Sequence, residues 1–387
     1  MTSEALRTIT TLQPKRITFG AGCAVECVRY IAGLPLERLH IVTSPSSLTH
    51  AEKMATQLRG EGKTVSIDAA ITSEPTISVF KAAVERAQKA SAQGVLGIGG
   101  GSVLDIAKLV AAFTQSGQSI EEAFGIDLLQ GRSCHLICMP TTAGTGSEVS
   151  PNAILLDEAA ELKKGVISQF LVPDATFIDP VLTVTMPTQI TASTGLDAIA
   201  HCMEAYTNRF AHPLIDLYAM RGIELGRRFL LRAIQNPEDM EAREAMALTS
   251  LYGGLCLGPV NTAAAHALAY PLGGRFHIAH GVSVALLLPH VFRFNAETTP
   301  ARHAMLAPAL GITPEATDLQ TAYAAAACLD ELVHDCGIET DLAQHGVGRS
   351  NIPEMARAAM TVTRLLKNNP RTLTEADCTD IYGRCFT

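Results

Sequence analysis

Gly94-Val-Leu-Gly-Ile-Gly-Gly-Gly-Ser102 is an apolar run that breaks into glycines and then into the helical pattern of residues 103–114. A short apolar run bounded by a turn signal reads as a strand buried on both faces. The glycines let backbone approach a phosphate, and the helix start beyond them offers free N–H groups and a positive dipole end. The run is not the Gly-x-Gly-x-x-Gly fingerprint, and a glycine run by itself also reads as a plain turn. Ser102 with Asp105 matches a Ser-x-x-Asp capping pattern, which sets the expected helix start.

Working outward, the same alternation repeats. Residues 39–43, 64–67 and 136–139 are further strand candidates, and residues 51–61 and 77–90 are helical. Residues 173–180 look like the last strand, closed by the Asp179-Pro180 turn. Strands alternating with helices predict a parallel α/β sheet that binds ligands at the carboxyl ends of its strands. After Pro187 the texture changes. Helical patterns fill residues 191–206, 214–235, 240–255, 262–270, 282–294, 317–336, 352–366 and 375–384. Pro213, Pro237 and Pro353 fall at or near proposed helix starts, and Thr374 with Asp377 makes a capping pair.

At 387 residues the chain exceeds one ordinary core,. The expected architecture is an α/β nucleotide-binding domain in residues 1–188 and an all-α domain in residues 189–387. The active site is expected in the cleft between them. Hydrophobic content of 47% supports substantial cores, and 18% charged residues argues against disorder,. A formal net charge of −8 without a basic run excludes nucleic acid as a partner,. Met1-Thr-Ser-Glu-Ala-Leu-Arg7 lacks an apolar signal core, and no apolar stretch is long enough to span a bilayer. The ten cysteines are scattered. Cys23/Cys27 and Cys134/Cys138 are four apart rather than in Cys-x-x-Cys spacing. They read as reduced core thiols of a cytoplasmic protein.

A second stretch carries chemistry. Asp197 and His201 are four apart in Leu196-Asp-Ala-Ile-Ala-His-Cys-Met-Glu-Ala-Tyr206, a run without Gly or Pro. On a helix they share a face. His266 lies in an alanine-rich helical run that Pro271, Gly273 and Gly274 are expected to end, and His280 follows the turn. One carboxylate with up to three imidazoles suits a divalent ion such as iron or zinc, with room for a substrate oxygen. An isolated Asp-x-x-x-His is more often a surface pair or a cap. Periodicity alone does not choose among His266, His277, His280 and His290.

Four stretches together resemble the iron-containing (group III) alcohol dehydrogenase family of the dehydroquinate synthase-like superfamily. They are Gly195 to Tyr206, His266 to Gly281, Gly99-Gly-Gly-Ser102 and Pro140-Thr-Thr-Ala-Gly-Thr-Gly-Ser-Glu148. The resemblance covers nearly the whole chain, in order. It implies a metal- and NAD(P)-dependent alcohol dehydrogenase or aldehyde reductase that exchanges hydride with a small alcohol or aldehyde, a hydroxy-acid, oxo-acid or semialdehyde among the candidates. It implies Asp197, His201, His266 and His280 as metal ligands, with Fe(II) preferred and Zn(II) the alternative. Ser44, Gly100, Gly101, Ser102, Asp105, Thr141, Thr142, Ser147, Asn152 and Lys163 become the expected cofactor residues, and Glu74-Pro-Thr76 a turn near the cofactor. A homodimer is the expected assembly.

The sequence departs from its relatives at two places. Many have His four residues after the third ligand, where this chain has Tyr270. Tyr270 and His277 are thus the candidates for contacting or protonating substrate. A phenol titrates near pH 10, so Tyr270 is expected to orient substrate rather than relay protons. Some relatives with Tyr-Pro here act on hydroxy- or oxo-acids, and Arg275 would then pair with the carboxylate. Many NAD-preferring relatives also place Asp after the strand of residues 39–43, where this chain has Ser44. Without that carboxylate, NAD is expected to be accepted and NADP tolerated. Two rivals remain at this level: a dehydroquinate synthase-like lyase or polyol(-phosphate) dehydrogenase of the same superfamily, and a nucleotide-binding protein without catalysis.

Overall fold

A computed structural model describes residues 6–72 and 74–386. Most of the N-terminal stretch read above, residues 1–5, lies outside the described residues. The chain divides into two compact units, one of residues 12–186 and one of residues 187–386 with residues 6–11.

The first unit is α/β. Its main sheet contains strands β1 (Arg16–Phe19), β2 (Arg38–Thr43), β3 (Thr64–Asp68) and β4 (Gly94–Gly99), with β6 (His135–Pro140) and β9 (Ala175–Ile178). The order is β1-β9-β6-β4-β2-β3, and the pairings are parallel. Helices α1 (Ala24–Ala32), α2 (Leu48–Gly60), α3 (Ile77–Lys89) and α4 (Gly101–Phe113) connect strands, with a short α5 (Ile120–Ala123). The period of two divides each strand between two cores. Ile41, Leu96, Ile98, Ile137 and Met139 join Ile31 and Leu58 of α1 and α2 on one face. Val42, Val95, Leu136 and Cys138 join Phe80 and Leu104 of α3 and α4 on the other. Burial on both faces is why these strands read as continuous apolar runs. Each large apolar side chain buried this way contributes about 1.5–3 kcal/mol.

The sequence reading missed a three-stranded sheet of β5 (Gly125–Ile126), β8 (Leu162–Ile167) and β7 (Asn152–Asp157), in that order. Leu162-Lys-Lys-Gly has neither alternation nor bulk, and it becomes a strand only by pairing antiparallel to β7,. The expected Ser102–Asp105 cap also does not form. Gly100 is the N-cap of α4, and Asp105 instead accepts hydrogen bonds from Ser147 Oγ and the Ile154 N–H. That carboxylate ties α4 to β7 and to the loop after β6.

The second unit is helical: α6 (Thr188–Thr207), α7 (Pro213–Gln235), α8 (Met240–Leu257), α9 (Ala264–Phe276), α10 (His280–Ala296), α11 (Pro300–Ala304), α12 (Ala307–Leu310), α13 (Asp318–Asp335), α14 (Ile352–Met360), α15 (Thr363–Leu366) and α16 (Glu375–Gly383). Helix α6 packs against α7, α8 and α10, and its residues from Gly195 to Thr207 are all buried. The run of residues 352–366 is two helices, α14 and α15. The expected stop at Pro271 is not obeyed. Helix α9 continues through Pro271, Gly273 and Gly274 to Phe276 and ends at His277 in the left-handed region (φ 56°). A proline inside a helix costs about 3 kcal/mol. Buried Leu268 and Leu272, on a helix packed against α10 and α14, offset it,. The Thr374–Asp377 capping box is present. Among the described residues no helix is long and apolar enough to cross a membrane. All ten cysteines are free thiols, nine of them buried.

Candidate metal centre and cofactor loop

Helix α6 is enclosed by neighbouring helices, yet it carries Asp197, His201 and Glu204, each at most 4% exposed. Buried ionisable groups need partners or a cation. Asp197 Oδ1 lies 3.7 Å from His201 Nε2, 3.3 Å from His266 Nε2 and 3.8 Å from His280 Nε2. The ligand atoms of Asp197, His201 and His266 all lie within 4.8 Å of one another. The His201 and His266 rings stack at 4.8 Å. His280, first residue of α10, stands at the rim with its side chain 32% exposed.

Glu204 supplies what the sequence reading did not name. Its carboxylate accepts the Ala265 N–H at 2.7 Å and the Nδ1–H of His266. With Nδ1 protonated, Nε2 of a neutral His266 bears the lone pair and faces Asp197 Oδ1. Among the described residues neither Asp197 Oδ1 nor His266 Nε2 has a hydrogen-bond partner. A lone pair facing a carboxylate oxygen is stable only with positive charge between them. Two ligands on one ion at bonds of about 2.1 Å stand roughly 3.0–3.4 Å apart at right-angle to tetrahedral geometry. The 3.3 Å between Asp197 Oδ1 and His266 Nε2 falls in that range, and the 3.7 and 3.8 Å to His201 and His280 exceed it by a few tenths of an ångström, so the donor set fits a divalent ion after a small inward shift of those two rings. The electrostatics agree. Burial opposes charge on Asp197, but His201, His280 and His266 outweigh it and hold the carboxyl well below the usual range. Burial likewise opposes protonation of His266, yet Glu204 and Asp197 push it up to about 9. The pocket favours a cation. The signal for Glu204 was legible in spacing, three residues after His201 and seven after Asp197 on one helix.

Gly281 fixes the entry to α10. A Cβ there would stand 2.4 Å from Ser193 O, so α10 meets α6 backbone to backbone beside His280. Tyr270 sits one turn beyond His266, and its hydroxyl accepts from Arg364 Nη2 at 3.3 Å. His277 is exposed at the end of α9. Arg275, expected to face a substrate carboxylate, is exposed and paired with Glu354 of α14. Because α9 runs past Pro271, Arg275 lies in its last turn rather than in a loop. His290 lies within α10, ten residues beyond His280.

The cofactor residues fall into three groups. Ser44, Gly100 and Thr141 follow the carboxyl ends of the adjacent strands β2, β4 and β6. Thr43 Oγ1 donates to Ile98 O at 2.8 Å, and Ser47 and Thr141 hydroxyls meet at 3.1 Å, so these ends are bound together. Helix α4 begins there with no side-chain cap and no acidic residue in its first turn. Gly101 is required because a Cβ would stand 2.5 Å from the Thr145 side chain, and Thr142 lies against Gly100. Such an uncapped N-terminus fits a phosphate. Ser102 is partly exposed in the first turn. Asp105 and Ser147 form the second group with Lys108, whose Nζ donates to Ser150 O and Asn152 O at 3.0 and 2.7 Å. Burial raises the Asp105 carboxyl, opposed by Lys108, and lowers the Lys108 ammonium, opposed by Asp105. Asn152 Oδ1 is buried without a hydrogen-bond partner among the described residues. Lys163 stands apart on β8, paired with Glu74.

A family model described as iron-containing alcohol dehydrogenase matches residues 14–180, and one for the C-terminal part of that family matches residues 191–386. The chain belongs to the iron-containing alcohol dehydrogenase family. It is an enzyme and an oxidoreductase, which removes the lyase and non-catalytic readings. The family implies a divalent metal and NAD(H). The chain is 34% identical to long-chain-alcohol dehydrogenase 1 of Geobacillus thermodenitrificans, over 95% of this chain and 94% of that protein. It is also 34% identical to choline dehydrogenase of Bacillus subtilis, over 100% and 97%. The crystal structure of sulfoacetaldehyde reductase from Bifidobacterium kashiwanohense in complex with NAD+ matches with a TM-score of 0.87 and 26% identity, over 98% of this chain and 99% of that one.

Proposed function

We propose that this dehydrogenase moves hydride between NAD(P) and a small alcohol or aldehyde, using a divalent ion held by Asp197, His201, His266 and His280. One observation carries the ligand set: three imidazole Nε2 atoms lie 3.3–3.8 Å from a single buried Asp197 oxygen. When bound, the ion supplies Lewis acidity toward a substrate oxygen. A carboxylate with imidazoles and no thiolate suits both Fe(II) and Zn(II), and the family favours iron,. Glu204 keeps His266 in the ligating tautomer. Tyr270 orients the substrate through its hydroxyl, and His277, exposed three residues before His280, exchanges the proton with solvent.

The nicotinamide supplies the hydride chemistry. Gly100, Gly101 and Ser102 at the α4 N-terminus take the pyrophosphate. Thr141, Thr142 and Asn152 line the cofactor, Asp105 and Ser147 hold that loop in shape, and Lys163 is steered by Glu74. Ser44 stands where relatives that prefer NAD carry Asp, so NADP is tolerated beside NAD.

The test combines elemental analysis with absorbance of the reduced nicotinamide across an aldehyde and alcohol panel. Asp197→Ala and His266→Ala are expected to lose metal and turnover while remaining folded by circular dichroism. Stoichiometric metal in both variants removes these residues from the ligand set. Absence of turnover by the metal-loaded wild type with every substrate and both cofactors sinks the activity.

A further inference from the structure

We propose that Arg364 is the anion-recognition group of the substrate site, and that the preferred substrate is a short aldehyde or alcohol carrying a carboxylate or sulfonate. This rests on the dehydrogenase reading above and narrows its substrate. Similarity leaves the charge of the substrate open, since the relatives are named for long-chain alcohols, for the cation choline and for the anion sulfoacetaldehyde.

The placement comes from α9. Helical side chains lean toward the helix N-terminus, so Tyr270 covers the turn that bears His266. Arg364 on α15 reaches that phenol with Nη2 at 3.3 Å. Both residues are partly exposed, so a solute can reach them. The position of α15 is fixed by its surroundings. It packs on α9, and just beyond it Asn368 Nδ2 donates to Thr262 O at 2.8 Å. Asn369 exchanges side-chain hydrogen bonds with Asn295 of α10.

The charge is unspent. Arg275, Arg293, Arg357, Arg371 and Arg384 of the same unit each pair with a carboxylate. Among the described residues Arg364 has none, and its single hydrogen bond goes to a neutral phenol. A guanidinium offers five N–H donors in a planar fork, and a carboxylate or sulfonate takes two of them in parallel. With the reacting carbonyl at the ligand cluster, the anionic end extends along α9 toward Arg364. The reaction is the family's own: the aldehyde takes hydride from NADH and a proton from solvent, giving the alcohol and NAD+. Arg364 selects the substrate without exchanging a proton or an electron.

The experiment uses full-length, metal-loaded enzyme with NADH. Succinic semialdehyde and glyoxylate are the carboxylate arm, sulfoacetaldehyde the sulfonate arm, and butanal and acetaldehyde the uncharged arm. At least one anionic aldehyde is expected to exceed its uncharged counterpart tenfold or more in kcat/KM, with the difference in KM. Arg364→Gln is expected to cut that preference at least tenfold, and Arg364→Lys to restore part of it. In parallel, calorimetry of butanoate and propane-1-sulfonate with the same protein reads binding without turnover, with affinity expected to fall at least tenfold in Arg364→Gln. Equal turnover of charged and uncharged aldehydes, or a preference retained in Arg364→Gln, overturns the proposal. Arg364-dependent anion binding without turnover of any aldehyde supports the site and refutes the dehydrogenase reading. Anion binding that is absent, or insensitive to Arg364, refutes the site alone.

Discussion

Glu204→Gln is the most informative single change, because it alters one buried oxygen and almost no volume. The carboxylate serves two donors at once, the Ala265 N–H and His266 Nδ1–H. A glutamine has one carbonyl oxygen for the two. If that oxygen keeps Ala265, the amide NH2 faces His266 Nδ1, which must then accept. The proton moves to Nε2, the atom that faces Asp197 Oδ1, and the imidazole can no longer ligate there. If the oxygen keeps His266, the buried Ala265 N–H at the start of α9 loses its partner, at about 1–3 kcal/mol. Groups that orient a ligating histidine are worth about 10–100-fold in metal affinity, or roughly 1.4–2.8 kcal/mol at 1.4 kcal/mol per decade. Chelator competition with Zn(II) on wild type and Glu204→Gln measures this directly. The metal-induced rise in Tm should shrink with it, since stabilisation follows the logarithm of ligand concentration over Kd. A Glu204→Gln variant that holds Zn(II) as tightly as wild type would refute the tautomer argument.

Gly281→Ala places a Cβ 2.4 Å from Ser193 O; overpacking of this kind costs about 1–3 kcal/mol, and the displaced His280 should also weaken metal binding. Denaturant midpoints with chelator titrations check both, and an unchanged midpoint rules out the close approach. His303 is buried against Phe292, and burial lowers its pKa to about 4. Its folded value lies below the unfolded value of about 6.5, so the unfolded chain binds the proton first. Stability from this group is therefore complete above about pH 6.5 and lost as pH falls toward 4, on the order of 3 kcal/mol in all. His303→Phe should flatten that part of the stability profile, and an unaltered slope would show that other groups dominate. Ser44→Asp is expected to raise KM for NADP selectively, through repulsion of its extra phosphate. Equal effects on both cofactors would show that Ser44 does not face the ribose.

Local pattern determined much about this protein. The alternating apolar runs specified parallel strands because both faces of the sheet are buried, and Gly94 to Ser102 marked the loop because backbone approach demands glycine. Asp197 and His201 were legible as a pair because helix periodicity alone puts them on one face. Proposing His266 and His280 rather than His277 and His290 as ligands needs either resemblance or the fold, since nothing local separates these imidazoles. Only tertiary structure decided the rest. Pro271 was overridden because packing of α9 exceeds the cost of one lost hydrogen bond. Strand β8 formed because β7 lies beside it. Asp105 left its expected cap because Ser147 and Ile154 offered better donors in the folded chain. Arg275 and Arg364 look alike as sequence, yet one is neutralised by Glu354, and the other, among the described residues, pairs with no carboxylate and hydrogen-bonds Tyr270. Which cation stays available to a substrate depends on partners dozens of residues away, and their approach is set by helix packing rather than by neighbours along the chain.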